Sequence, residues 1–179
     1  MLQTPRLRLR QWIPGDREPF AAMNRDAAVM EFLGEPLTRP GSDELAERCE
    51  RELAENGWGP WAVERLEDGQ FIGFVGLHAV GTHLPFAPAI EIAWRLAAAA
   101  WGKGYATEAA RCALDFGFRS LGLQEIVSFT AVVNHRSVAV MQRLGMRFDG
   151  RFEHPRLPSG HPLSEHVLYR LGNDTSVGS

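Results

Sequence analysis

The stretch from Ala89 to Leu121 constrains the fold more than any other. It holds a strand pattern, Ala89-Ile90-Glu91-Ile92-Ala93-Trp94-Arg95-Leu96, then an alanine run, then Trp101-Gly102-Lys103-Gly104-Tyr105-Ala106. A helix pattern follows from Thr107 to Leu121. A strand that enters paired glycines and then a helix aims free backbone N–H groups, with the helix dipole behind them, at one spot. Such a spot suits a phosphate, and glycine permits close approach to the backbone. A plain tight turn uses the same residues.

Two nucleotide loops fit poorly. A Walker loop needs Ser or Thr after its lysine, and Lys103 is followed by Gly104. A dinucleotide loop needs a third glycine, where this chain has Thr107. Its ribose-binding acid belongs at the end of the following strand, whereas Glu125 begins one. A coenzyme A site is the third owner. There the pyrophosphate meets the loop, and an extended pantetheine arm pairs with an exposed strand like an added strand.

The elements around this stretch set the fold class. Leu7 and Leu9 alternate with arginines as a strand, and Arg17 to Phe32 reads as short helices broken near Asn24-Arg25-Asp26. Ser42 is placed to cap a helix that ends at Gly57, with Leu45, Cys49 and Leu53 as its buried stripe. Trp61–Leu66, Phe71–Val80 and Ala89–Leu96 form an antiparallel run, with a bulge or close packing at Gly73 and Gly76. Gln124–Val133 is a strand, Asn134–Leu144 a helix closed by Gly145, and Met146–Phe152 and His166–Leu171 are final strands. This order is a mixed α/β sheet with helices on its faces, not a regular βαβ series. A single domain over 1–171 and a flexible tail over 172–179 are expected.

The chain has 179 residues and a net charge of −3, so no polybasic surface for nucleic acid or anionic lipid is expected. No signal core or transmembrane span is read, which makes a cytoplasmic protein the expectation. Cys49 and Cys112 do not form a metal or disulfide pattern.

The string Trp101-Gly102-Lys103-Gly104-Tyr105-Ala106-Thr107-Glu108-Ala109, followed by Asn134-His135-Arg136-Ser137 and Arg143-Leu144-Gly145-Met146, resembles the GNAT N-acetyltransferases. Among them it is most similar to the branch of the ribosomal-protein N-terminal acetyltransferases. The resemblance implies a GNAT fold: a central, mostly antiparallel sheet, helices on both faces, and a splayed strand pair at the cofactor site. It implies acetyl transfer from acetyl-CoA, without a metal, to a primary amine of a protein N-terminus, an amino acid or a small molecule. Backbone groups of Trp94, Arg95 and Leu96 are expected to meet pantetheine, and N–H groups from Gly102 to Thr107 the pyrophosphate. Trp101 stands where the family usually has a polar residue, and Lys103 is placed to add charge. Asn134 and Ser137 are expected on the cofactor arm. Met141 occupies the position of a tyrosine that protonates the leaving thiolate in many members. Methionine donates no proton, so Ser137, one turn earlier, is the substitute.

Amine attack needs a base and a donor for the developing oxyanion. Glu91, a carboxylate in an otherwise apolar strand, is the candidate base, with an edge carboxylate paired to an arginine as its structural alternative. His78, His83 and His166 are weaker candidates, and His154 and His161 are expected to line an acceptor pocket. The helices from Arg17 to Asn56 and the loop from Gly81 to Pro88 are expected to shape that pocket. A non-catalytic acyl-CoA sensor of the same fold is the rival reading, and a monomer and a homodimer are both open.

Overall fold

In the computed structural model, residues 1–173 are described. Eight strands form one sheet: β1 (Leu2–Gln3), β2 (Leu7–Arg10), β3 (Pro60–Arg65), β4 (Phe71–Ala79), β5 (Ile90–Leu96), β6 (Glu125–Ala131), β7 (Arg147–Glu153) and β8 (Glu165–Gly172). Their spatial order is β1-β2-β3-β4-β5-β6-β8-β7. Every neighbouring pair is antiparallel except β5 with β6. That parallel contact consists of one register pair, Glu91 with Val127. Beyond it the two strands diverge, and the splay opens toward the end of β5.

Helices cover both faces. α1 (Arg17–Arg25), α2 (Ala27–Met30) and α3 (Arg39–Asn56) precede β3; α4 (Tyr105–Arg119) follows β5, and α5 (His135–Arg143) follows β6. On one face Phe20 of α1 packs edge-on against Phe74 of β4 and against Trp12, at centroid distances of 6.1 and 5.0 Å. On the other face Phe116 of α4 meets Trp61 at 5.5 Å. Gly117 lets α4 come this close, because a Cβ there would lie 2.8 Å from Ile126 Cδ1 and 3.0 Å from Leu77 Cδ1.

Three details differ from the sequence reading. The helix expected to start at Ser42 starts at Arg39, capped by the Thr38 hydroxyl at 3.3 Å from Gly41 N–H. Proline in the first turn costs no hydrogen bond, so Pro40 does not delay the helix, and Ser42 is buried within it. α4 begins at Tyr105 rather than Thr107, with Gly104 before it in the left-handed region at φ 80°. Gly172 ends β8, and Asn173 N–H bonds Gln124 C=O at 2.8 Å. The rest of the tail expected from Gly172 lies outside the described residues. Among the described residues no helix is long and apolar enough to cross a membrane.

Candidate functional site

A cavity of about 1250 Å³ follows the splay. β5 contributes Trp94, Arg95 and Leu96; the loop contributes Trp101, Gly102 and Gly104; α4 contributes Tyr105, Ala106 and Thr107. Asn134 and Ser137 line the opposite wall. The sequence therefore placed most of its candidates on one cavity. Lys103 and Glu91 are not on its wall.

The loop is shaped by two positive-φ glycines, Gly102 at 72° and Gly104 at 80°. A Cβ on Gly102 would meet nothing within 4 Å, and one on Gly104 only Arg6 Nη2 at 3.5 Å. Glycine is thus required by the backbone angle, since a left-handed conformation is strained for other residues. The open space above both glycines is what a pyrophosphate needs. α4 has no side-chain cap, and its first internal bond runs from Glu108 N–H to Gly104 C=O. The earlier N–H groups stay free at the positive end of the helix.

Arginines surround this end, and the sequence reading missed them. Arg6, Arg111, Arg136 and Arg143 all line the cavity. Arg111 donates to the Arg143 carbonyl at 3.0 Å, and neither has an acidic partner among the described residues. Arg6 is held by Glu108, with Nε 2.7 Å from Oε2. Burial raises the Glu108 carboxyl, but bonds from Thr4 and Arg6 outweigh it and hold the group below its ordinary value. Lys103 is exposed and off the wall, and its carbonyl accepts from Arg6 Nη1 at 3.0 Å. Only Arg136 carried a legible signal, since it sits between the two motif residues Asn134 and Ser137.

Trp101 has a structural use here. Its indole N–H donates to Leu96 C=O at 2.9 Å, and Arg136 stacks over its ring at 4.3 Å. Arg136 also bonds Glu31 at 2.9 Å and lies 5.5 Å from the Phe32 ring. This ties the loop, α5 and the segment after α2 around the cavity mouth.

Backbone groups along a strand point alternately to its two neighbours. Ala97 N–H bonds Ile72 C=O on the β4 side at 2.9 Å, whereas Ile92 C=O accepts from Ser128 Oγ on the β6 side at 3.0 Å. Trp94 and Leu96 therefore turn their backbone groups into the splay. Arg95 turns its own toward β4, in register with Phe74. The Arg95 backbone, expected at pantetheine, thus faces β4, and its side chain lines the cavity.

Asn134 is the N-cap of α5. Its Oδ1 accepts from Ser137 N–H at 3.2 Å, and its Nδ2 donates to Thr130 Oγ1 at 2.9 Å and to Ser137 Oγ at 3.1 Å. Its amide is thus committed within the protein. Ser137 Oγ accepts from Asn134, which leaves its own O–H to donate. Met141 is buried at 1% exposure and lies off the cavity wall.

Glu91 shares its sheet face with Ala93, Arg95 and, across the register, His78. Glu91 Oε2 lies 3.4 Å from His78 Nε2. The partner is a histidine, not an arginine, and β5 is an interior strand, so the edge-carboxylate alternative is corrected on both points. Burial alone would lower the His78 pKa, but Glu91 and Glu52 raise it above its ordinary value. Further along the same face, His166 and His154 rings lie 4.9 Å apart, with His83 6.2 Å from His154 and Phe152 5.5 Å from His166. Burial lowers the pKa of both His154 and His166; for His154 the neighbouring histidines add to it. The 81–88 loop joins this group through Phe86, 5.1 Å from Phe152.

Residues 6–147 match the model of the acetyltransferase (GNAT) domain. The N-acetyltransferase YoaA of Bacillus subtilis is 27% identical over 171 residues, covering 93% of this chain and 94% of that one. The fold is shared with the spermidine N-acetyltransferase of Vibrio cholerae in complex with CoA and spermine: TM-score 0.74, 24% identity, 95% and 97% of the two chains. It is shared equally with RimL, a ribosomal L7/L12 alpha-N-protein acetyltransferase in complex with coenzyme A: TM-score 0.77, 16% identity, 96% of each chain. With a splayed β5–β6 pair, a positive-φ glycine loop opening α4 and a family match over most of its length, this chain belongs to the GNAT acetyltransferases and is an acetyl-CoA-dependent acyltransferase.

Proposed function

We propose that the chain transfers acetyl from acetyl-CoA to a primary amine by direct attack, with both substrates bound together. The observation that carries this reading is the cavity itself. It joins free helix N–H groups and two arginines with no acidic partner among the described residues, at one end, to strand backbone turned into the splay at the other. The residues present suit coenzyme A. Gly102 to Thr107 with Arg111 and Arg143 would hold its phosphates, and the Trp94 backbone with Leu96 N–H would hold its pantetheine. When bound, the coenzyme supplies an activated thioester.

The protein's own groups then handle protons and position. Glu91 takes the amine proton through a bridging water, and Ser137 O–H, which has no acceptor among the described residues, protonates the departing thiolate. A thiol has a pKa of about 8.5, so this second role needs little acid strength and Met141 leaves no fatal gap. Cys112 lies on the cavity wall, but burial, with Asp115 and Glu108 adding, raises its thiol pKa. A protonated thiol is a poor nucleophile, which favours direct attack over an acetyl-cysteine. Calorimetric titration with acetyl-CoA tests the reading: saturable one-site binding supports it, and the absence of binding overturns it.

A further inference from the structure

Arg95 is a cation that neither the phosphate site nor the proton transfers use. Its Nη1 donates to Asn24 Oδ1 at 2.7 Å, and its Nε is buried without a hydrogen-bond partner. No carboxylate lies within ion-pairing distance of it among the described residues. The guanidinium rests 5.7 Å from the Phe74 ring. Burial, with Arg48 adding, depresses its pKa to about 10, and among the described residues the Cys49 thiol opposes that shift but no carboxylate does.

This cation is held in place. Asn24 is fully buried and donates through Nδ2 to the hydroxyl of Ser42, itself 1% exposed, at 2.9 Å. A relay from α3 through α1 therefore fixes the direction of the guanidinium with a neutral amide and leaves its charge unbalanced. Burying an unpaired charge is costly. The arrangement is understandable if an anion arrives with a ligand.

The coenzyme does not supply that anion. Its phosphates belong with the α4 amide groups, and α4 packs on the opposite face of the sheet from Arg95. Its pantetheine arm is uncharged. Nor does the wall suit a polycation. Its one acidic residue, Glu108, is already bonded to Thr4 and Arg6. Arg95 and Glu91 lie four residues apart on one face of β5, about 13 Å between Cα atoms, with small Ala93 between them. A compact molecule can place an amine toward one and an anion toward the other.

We propose that the acceptor carries a carboxylate as well as its amine, as an amino acid does, and that Arg95 binds that carboxylate. The proposal rests on the acetyltransfer reading above and names the acceptor class for the same site.

The test uses initial rates of thiol release with acetyl-CoA and matched acceptors: amino acids, their C-terminal amides, and the corresponding decarboxylated amines. A charge-assisted contact predicts kcat/KM higher for the acid than for its amide by about 10- to 100-fold, mostly through KM. Arg95→Gln should collapse that ratio toward one, and Arg95→Lys should retain part of it. Asn24→Asp, which keeps Arg95 but gives it a carboxylate, should also lower the ratio and decides the matter if Arg95→Gln does not fold. Equal use of acids and amides by the wild-type enzyme, a preference for decarboxylated amines, or a ratio unmoved by these variants overturns the proposal. Acetyl-CoA calorimetry on the same samples separates the two levels. Binding and turnover without acid preference reject only the carboxylate, whereas no binding rejects the acetyltransfer reading itself.

Discussion

The two ends of the cavity are built from different materials. The end proposed for phosphate is mainly backbone: two left-handed glycines, an uncapped helix and free N–H groups contributed within a few residues. The end proposed for the acceptor rests on side chains: Arg95 of β5 lines the wall, Asn24 of α1 and Ser42 of α3 hold it by hydrogen bonds, and Glu91 with His78 lies off the wall further along β5. The first kind of site depends on local conformation. The second depends on which strands and helices are brought together. Substitutions at the two ends should therefore fail in different ways.

The largest expected effect is at Glu91. If it is the base, Glu91→Gln lowers kcat by about 10²- to 10⁴-fold while calorimetric acetyl-CoA affinity stays at the wild-type level. Loss of affinity in parallel would erase the distinction between the ends. Gly104→Val probes the other end. Its left-handed angle costs about 1–2 kcal/mol in a residue with a side chain, and coenzyme affinity should fall about 10-fold or more. Full affinity would mean that the loop backbone is not the phosphate contact.

A smaller effect concerns pH. His78 has a raised pKa in the folded protein, so the stabilisation it gains from Glu91 is complete below about pH 6.5. It is lost as pH rises through the raised value. Denaturant unfolding of wild type and His78→Gln should show a gap at mildly acidic pH that narrows toward alkaline pH. A constant gap would show that the pair is packing rather than charge. The smallest effect is expected at Lys103. It is exposed and off the wall, so Lys103→Ala should change acetyl-CoA affinity by less than about two-fold. A larger loss would move the phosphate end outward to include it.

The same contrast governs how much could be read from the chain. The strand, glycine loop and helix around Gly104 were legible because each is a local preference, and the helix start at Asn134 was legible for the same reason. The start of α3 was placed too late because Ser42 reads as a cap, whereas the Thr38 hydroxyl takes that role by accepting from Gly41 N–H. Burial against Asn24, a tertiary fact, took Ser42 out of that role. Of the arginines around the glycine loop only Arg136 was legible, from its place between Asn134 and Ser137; Arg6, Arg111 and Arg143 come from separate stretches of the chain, and nothing in the sequence marks them as neighbours.

The sequence by itself determined the element order, the left-handed loop and the family, because backbone preferences act over a few residues. The tertiary structure decided the rest. It restricted β5 and β6 to a single register pair, which opens the splay. It gave Glu91 a histidine partner by register and left Arg95 without a carboxylate partner among the described residues. Those outcomes depend on pairings between residues far apart in the chain, where no local preference reaches.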